Sequence, residues 1–60
     1  MNNMLQFTKG IEKTYCINYR NLKGAFKTDN LKDYNQRIKN FCNYYFLDEH
    51  ERKNITITIK

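Results

Sequence analysis

The middle of the chain carries apolar residues at three- and four-residue steps, and this pattern limits the fold more than any other feature. On a helix these residues form one stripe about 100° wide, with polar residues on the opposite side. Asn30 is a favourable N-cap, and Asp33 resembles the second member of a capping box. The pattern predicts one amphipathic helix over about residues 30–47, with these apolar positions: Leu31, Tyr34, Ile38, Phe41, Cys42 and Tyr45.

The segment that follows the stripe is charged, with acids four residues before bases. Asp48 precedes Arg52 and Glu49 precedes Lys53 at this spacing, which stabilises a helix. We therefore expect the helix to continue to about residue 52, with Asn54 beyond its end.

Strand signals lie on both sides of the helix. Residues 55–60 alternate Ile and Thr before Lys60, and residues 13–20 alternate as well, which is typical of strands with one buried face. Residues 3–8 and 11–20 are predicted to form a hairpin through the Lys9–Gly10 turn, and residues 25–27 a short third strand after a turn at Gly24. The order β-β-(β)-α-β indicates one α+β domain over 1–60, with a small antiparallel or mixed sheet and the helix packed on one face.

The alternation also assigns residues to the two faces of the sheet. Tyr15, Ile17 and Tyr19 share one face, and Thr14, Cys16 and Asn18 share the other. The phase with Ile17 favours a position under the helix for both tyrosines. The last strand is expected at an edge of the sheet, where strands pair readily, so we expect a homodimer formed by sheet continuation or by face-to-face packing. The alternative is a monomer in which Lys60 and the chain end protect this edge.

The sequence carries few residues suited to catalysis. It has one histidine, two cysteines and two glycines, and no phosphate-binding loop, nucleophile elbow or metal-ligand spacing. We expect a binding protein that is not an enzyme and needs no cofactor, metal or small-molecule substrate. Cys16 and Cys42 are expected to be buried free thiols, with a single disulfide between them as the alternative. Without a signal-peptide pattern we expect the cytoplasm.

The basic charge is concentrated in the first half of the chain. The net charge is +5, and residues 1–28 contribute five basic residues against one acid. Cations neutralise phosphates and aromatic rings stack on bases. The leading hypothesis is therefore an accessory protein that binds nucleic acid or a nucleoprotein complex through Lys9, Lys13, Arg20, Lys23 and Lys27, with Tyr15 and Tyr19 as stacking candidates.

An alternative hypothesis is a protein interface. Exposed aromatic residues at a helix end, or an unpaired strand, can anchor a partner. The candidates are Tyr44, Phe46 and Leu47 at the helix end and Ile55, Ile57 and Ile59 in the last strand. A composition rich in Asn, Lys, Tyr and Ile, without Pro or Trp, is typical of AT-rich coding, as in phages and plasmids. The alternative is thus an inhibitor or regulator of a host protein, of the kind that mobile elements use against host defences.

Overall fold

A computed structural model describes residues 6–60, and these residues form a small α+β fold. In chain order the elements are β1 (Lys13–Tyr19), β2 (Leu22–Thr28), α1 (Leu31–Tyr44), α2 (Glu49–Arg52) and β3 (Thr56–Ile59). Within the described range the sheet has the order β2-β1-β3, and both pairings are antiparallel. The predicted fold class is confirmed: an antiparallel sheet with a long helix on one face. β3 lies at an edge, as expected.

The hairpin forms between different segments from those predicted. β1 pairs along its whole length with β2, through a two-residue turn at Arg20 and Asn21. Of the predicted first strand, Thr8 makes one isolated bridge to Ile11, and residues 3–5 lie outside the described residues. The β1–β2 pairing aligns seven consecutive residue pairs. It therefore has far more cross-strand contacts than the short strand predicted over residues 25–27 could make.

The prediction of a turn at Gly24 is wrong, because Gly24 lies inside β2. It faces α1 opposite Ile17. A Cβ atom placed on Gly24 would lie 3.1 Å from Cδ2 of Phe41. Glycine is therefore used here for the close approach of helix and strand, not for a turn.

Helix α1 begins as predicted. The Asn30 side chain accepts a hydrogen bond from the Asp33 N–H at 2.8 Å. The reciprocal half of the capping box is absent, because the Asn30 N–H donates to Thr28 Oγ1. Asp33 instead forms an ion pair with Arg37, at 3.5 Å.

The helix ends at Tyr44, and the predicted continuation to about residue 52 is wrong. The Leu47 N–H donates to the Cys42 carbonyl at 2.9 Å, and the Phe46 N–H donates to Asn43 at 3.2 Å. These two bonds form a Schellman motif, which needs a residue with left-handed backbone at the first position after the C-cap. Phe46 occupies that position with φ = 56°, and Leu47 then turns back onto Cys42 in the core.

The charged segment forms a separate helix, α2. Asp48 accepts from the Glu51 N–H at 2.8 Å, and its own N–H donates to Glu51 Oε1 at 3.0 Å. This is a complete capping box. The acids that we expected to pair with Arg52 and Lys53 along one long helix therefore start a new one.

The core lies between the sheet and α1. Its first cluster contains Tyr15, Ile17, Phe26 and Tyr34, where the Tyr15 ring meets Tyr34 edge-on at 5.2 Å between ring centroids. The second cluster contains Tyr19, Cys42 and Leu47. Aromatic rings thus fill most of the space that one helix and three strands can enclose.

Candidate functional site on the open face of the sheet

The sheet face turned away from α1 is polar. Strand register and alternation place nine side chains on it in three cross-strand rows. The third member of the first row follows from the Lys60 N–H, which donates to the Thr14 carbonyl at 2.9 Å and extends the β3 ladder. The rows are Lys27–Thr14–Lys60, Ala25–Cys16–Thr58 and Lys23–Asn18–Thr56.

This open face is also basic. No strand contains an acidic residue. Glu12 precedes β1, Asp29 follows β2, and the other four acids lie in α1, α2 or the N-cap of α2. The side chains of Lys23, Lys27 and Lys60 are all exposed. No acid lies on these strands, but Glu12 lies one residue before β1 in the phase of Thr14, so the Lys27–Lys60 end of the face borders one acid.

The lysines stand at the corners of the face. Lys23 and Lys27 are four residues apart on β2, or about 13 Å at about 3.3 Å per residue. Lys27 and Lys60 are two strands apart, or about 10 Å at about 4.8 Å between strands. Between them lie hydroxyl and amide groups, which are the side-chain types that contact base edges, while lysines contact phosphates. The arrangement provides cations at three corners and hydroxyl and amide groups between them, with Ala25 and Cys16 in the middle row.

The other predicted cations lie elsewhere. Lys9 is exposed in the turn before β1, and Lys13 begins β1 on the side of α1. The Arg20 guanidinium lies 5.4 Å from the ring centroid of Tyr19, in a turn where Arg20 adopts φ = 56°. The structure therefore brings together Lys23 and Lys27 from the predicted set and adds Lys60. The signal for Lys60 was in the sequence, because it continues the phase of Thr56 and Thr58.

Both stacking candidates are in the core. Tyr15 is 1% exposed and Tyr19 is 6% exposed. This confirms the position expected from their phase with Ile17, and it leaves neither ring face open for stacking on a base. The Tyr19 hydroxyl donates to Glu51 Oε2 at 3.3 Å. Burial raises the pKa of Tyr19, and the Arg20 charge opposes that rise.

The helix end only partly matches the predicted protein interface. Tyr44 is 76% exposed and Phe46 is 91% exposed. Leu47, which we predicted to be an interface residue, is 8% exposed because the Schellman turn directs it inward. The prediction of an exposed Leu47 is wrong because it assumes one continuous helix through this residue.

The isoleucines of the last strand differ in exposure. Ile55 and Ile57 are half-buried against the core clusters. Ile59 is 57% exposed at the sheet edge. Among the candidates for an interface, the exposed apolar positions are thus Tyr44, Phe46 and Ile59.

The two cysteines are free and lie on opposite sides of β1. Cys42 lies on the side of α1 that faces the sheet and is fully buried, as expected. Cys16 is half-buried at the centre of the open face, so the expectation of two buried thiols is wrong for it. The cause is strand phase, because Cys16 alternates with the buried Tyr15 and Ile17.

Residues 6–60 contain no ligand-sized cavity and no group of three or more metal-ligating side chains. His50 is exposed in α2. None of the helices in this part of the chain is both long enough and apolar enough to cross a bilayer. Compared with known proteins, the chain matches no family model, no curated protein sequence and no solved structure.

Proposed function

We propose that the protein is a non-enzymatic accessory protein that binds nucleic acid, alone or in a nucleoprotein complex, through the open face of its sheet. The observation that carries the proposal is the charge pattern of that face. Three exposed lysines surround hydroxyl and amide side chains, and the three strands contain no acid. Such a face would contact phosphates through its corner lysines and base edges through the hydroxyl and amide groups between them.

The mechanism is electrostatic docking. Each lysine that neutralises a phosphate releases condensed counterions, so affinity falls as salt rises, by about 0.9 in log K per contact per decade of salt on duplex DNA. A two-stranded β-ribbon fits the major groove, which is about 12 Å wide, and β1 and β2 form such a hairpin beside β3. The distance of about 10–13 Å between the corner lysines suits phosphates on either side of such a groove.

The test is a salt titration of binding to a generic DNA duplex and to a generic single-stranded RNA, between about 50 and 200 mM salt. The variant Lys23→Gln/Lys27→Gln removes two lysines of the open face. Its matched control, Lys32→Gln/Lys39→Gln, removes two exposed lysines from α1. We expect the first variant to lower the salt slope by about 2 and the control to leave it unchanged. Absence of binding at about 50 mM salt, or equal losses in both variants, would contradict the proposal.

Cys16 provides an independent readout of which face is used. It lies at the centre of the open face, whereas Cys42 is fully buried and serves as an internal control. Bound nucleic acid should slow alkylation of Cys16 in proportion to occupancy. Binding without protection of Cys16 would place the contact on another surface.

A second candidate function is protein binding at the end of α1, and one observation favours it. Phe46 is 91% exposed and holds a left-handed backbone, which costs a non-glycine residue about 1–2 kcal/mol. Together with the exposed Tyr44, it presents aromatic surface of the type that anchors protein interfaces. Under this alternative the protein is an inhibitor or regulator of a host protein, of the phage or plasmid type.

The two functions are separated by a pull-down from nuclease-treated lysate. A protein retained by the wild type, lost with Phe46→Ala, and still retained by Lys23→Gln/Lys27→Gln supports the alternative. Loss of every partner on nuclease treatment supports binding to nucleic acid.

A further inference from the structure

Among residues 6–60, the outer edge of β3 has backbone groups without a strand partner at fixed positions. The Lys60 N–H donates to the Thr14 carbonyl at 2.9 Å, and the register pairs Ile57 with Ile17. Hydrogen-bonded and non-bonded pairs alternate along an antiparallel ladder. The residues facing β1 are therefore Thr56, Thr58 and Lys60. Those of opposite phase, Ile57 and Ile59, direct their N–H and C=O groups away from the sheet.

The sequence of this edge is symmetric. Residues 55–59 read Ile-Thr-Ile-Thr-Ile in both directions. If a second copy pairs antiparallel with Ile57 at the centre, Ile57 lies opposite the partner's Ile57, and Thr56 lies opposite the partner's Thr58. Every apolar residue then meets an apolar one on the helix side, and every threonine meets a threonine on the open face. Pairs of β-branched residues and of threonines stabilise strand pairing.

The same register also satisfies the backbone. The outward groups of Ile57 meet those of the partner's Ile57 as a hydrogen-bonded pair. The Ile59 N–H meets the carbonyl of the partner's Ile55. The Ile55 N–H is already bonded to the Arg52 carbonyl at 3.3 Å, so four backbone hydrogen bonds form across the pair. The register centred on Ile57 thus forms four backbone hydrogen bonds and also matches all five residue pairs in chemical type.

The opposite edge of the sheet does not favour this pairing. β2 directs the backbone groups of Lys23, Ala25 and Lys27 outward, since their neighbours Leu22, Gly24 and Phe26 bond to β1 in the alternating ladder. A pairing of two β2 strands that is centred on Ala25 sets Lys23 opposite the partner's Lys27, twice. Like charges directly opposite destabilise a sheet, and lysines are a known protection of edge strands.

We propose that two copies of the chain pair through β3, antiparallel and centred on Ile57, to form a continuous six-stranded sheet. A two-fold axis perpendicular to the sheet keeps both helices on one side and both open faces on the other. The pairing therefore joins two basic faces into one, with six corner lysines. The proposal rests on the proposed function for the use of that doubled face, but the pairing is tested without nucleic acid.

The interface is small. Five residues per copy bury much less than the about 800 Å² per partner of a standard interface. The dimer is therefore expected to dissociate readily in isolation. Nucleic acid that spans both open faces would then favour the dimer by mass action, so binding would be cooperative in protein.

The test is sedimentation equilibrium of chemically synthesised protein without nucleic acid. N-methylation of Ile57 removes one outward N–H and keeps the side chain. N-methylation of Ala25 makes the same change at the centre of the β2 edge and is the matched control. We expect the unmodified protein to dimerise with a Kd below about 1 mM, the Ile57 form to be at least tenfold weaker, and the Ala25 form to match the unmodified protein.

Mild oxidation of cysteine variants tests the register. In a Cys16→Ser background, Ile57→Cys places two thiols at the symmetry axis, with Cα atoms about 5.5 Å apart, within the range of a disulfide. Ala25→Cys is the control on the other edge. Disulfide dimers should form with Ile57→Cys and not with Ala25→Cys. A monomer at about 1 mM, a dimer that survives N-methylation of Ile57, or faster cross-linking through Ala25→Cys would overturn the proposal.

Discussion

The two faces of the sheet are built from the same three strands and differ in almost everything else. Tyr15 and Cys16 are neighbours in β1, yet Tyr15 is 1% exposed in an aromatic cluster and Cys16 is half-buried among small polar residues. The covered face carries aromatic rings and branched aliphatic side chains. The open face carries lysines and hydroxyl groups. The covered face stabilises the fold through its buried side chains, whereas the open face contributes little to the core.

The largest expected effect is on the covered face. Tyr15→Ala removes a side chain that packs on Phe26 at 5.5 Å and on Tyr34 at 5.2 Å between ring centroids. Truncation of a buried aromatic residue costs about 3–5 kcal/mol, which approaches the whole stability of a small domain. Urea unfolding should show a protein largely unfolded without denaturant.

The control is the next residue in the chain. Cys16→Ser changes a side chain of the open face by one atom, and the free energy of unfolding should stay within about 0.5 kcal/mol of the wild type. If the two substitutions cost similar amounts, the division of the sheet into a covered and an open face is wrong.

A smaller effect is expected where the helix and the sheet approach most closely. Gly24→Ala places a Cβ 3.1 Å from the Phe41 ring, which must shift to admit it. Because the half-buried ring must give way by only a few tenths of an ångström, we expect a loss of about 1 kcal/mol, at the lower end for overpacking.

A double-mutant cycle isolates this contact. In a Phe41→Leu background the clash is relieved, and Gly24→Ala should cost less than it does in the wild type. An unchanged cost would show that alanine disturbs the strand by some other means than its contact with Phe41.

A substitution outside both faces should increase stability. Phe46→Gly removes a ring that is 91% exposed and relieves a left-handed backbone worth about 1–2 kcal/mol. The added freedom of glycine in the unfolded chain offsets part of this. We expect a gain of about 0.5–1 kcal/mol, visible as a rise of several degrees in Tm.

Phe46→Ala is the matched control, because it removes the same ring and keeps the strained backbone. Its stability should not exceed that of the wild type. If both variants gain stability equally, the gain comes from the ring and not from φ. If only Phe46→Gly gains stability, the left-handed backbone at Phe46 lowers the stability of the fold. Such a cost is expected of a residue that is retained for binding.

Periodicity predicted the parts of this fold that depend on burial. Most of the α1 stripe, the buried face of β1 and the alternation of β3 follow from residue phase, and Asn30 caps the helix as its chemistry indicates. Leu31 is the exception in the stripe, since it is 52% exposed in the first turn of α1. The positions of the turns do not follow from the residue types that usually mark them. Gly24 serves close packing and not a turn, while Arg20 and Phe46, which are poor left-handed residues, occupy the positions where the chain does turn.

The candidate site was only partly predictable, for a related reason. Net charge indicated the basic half of the chain, but which lysines share a surface depends on strand pairing. Once β1 was assigned to the wrong partner, Lys23 and Lys27 could not be placed beside Asn18 and Thr14. Pairing is a long-range property, and local patterns do not determine it.

The smallest expected effect concerns the turn that precedes β1 and depends on pH. Asp29 Oδ2 accepts from the Gly10 N–H at 2.8 Å. This bond, followed by one from the Asn30 side chain, lowers the pKa of Asp29 below its ordinary value of 3.8. A lowered pKa in the folded state stabilises the fold above the ordinary pKa, and the contribution is lost as pH falls through the folded-state value.

Asp29→Asn keeps an acceptor oxygen for Gly10 and removes the charge. The variant should therefore be slightly less stable than the wild type at pH 6, and the two urea midpoints should converge as pH falls below 3.8. The measured quantity is the difference in urea midpoint between the variant and the wild type. The other carboxylates titrate in both proteins, so their contributions cancel in this difference. A difference of equal size at both ends of this pH range would mean that Asp29 acts through hydrogen-bond geometry alone. The turn at Gly10 would then be held in the same way at acid and neutral pH.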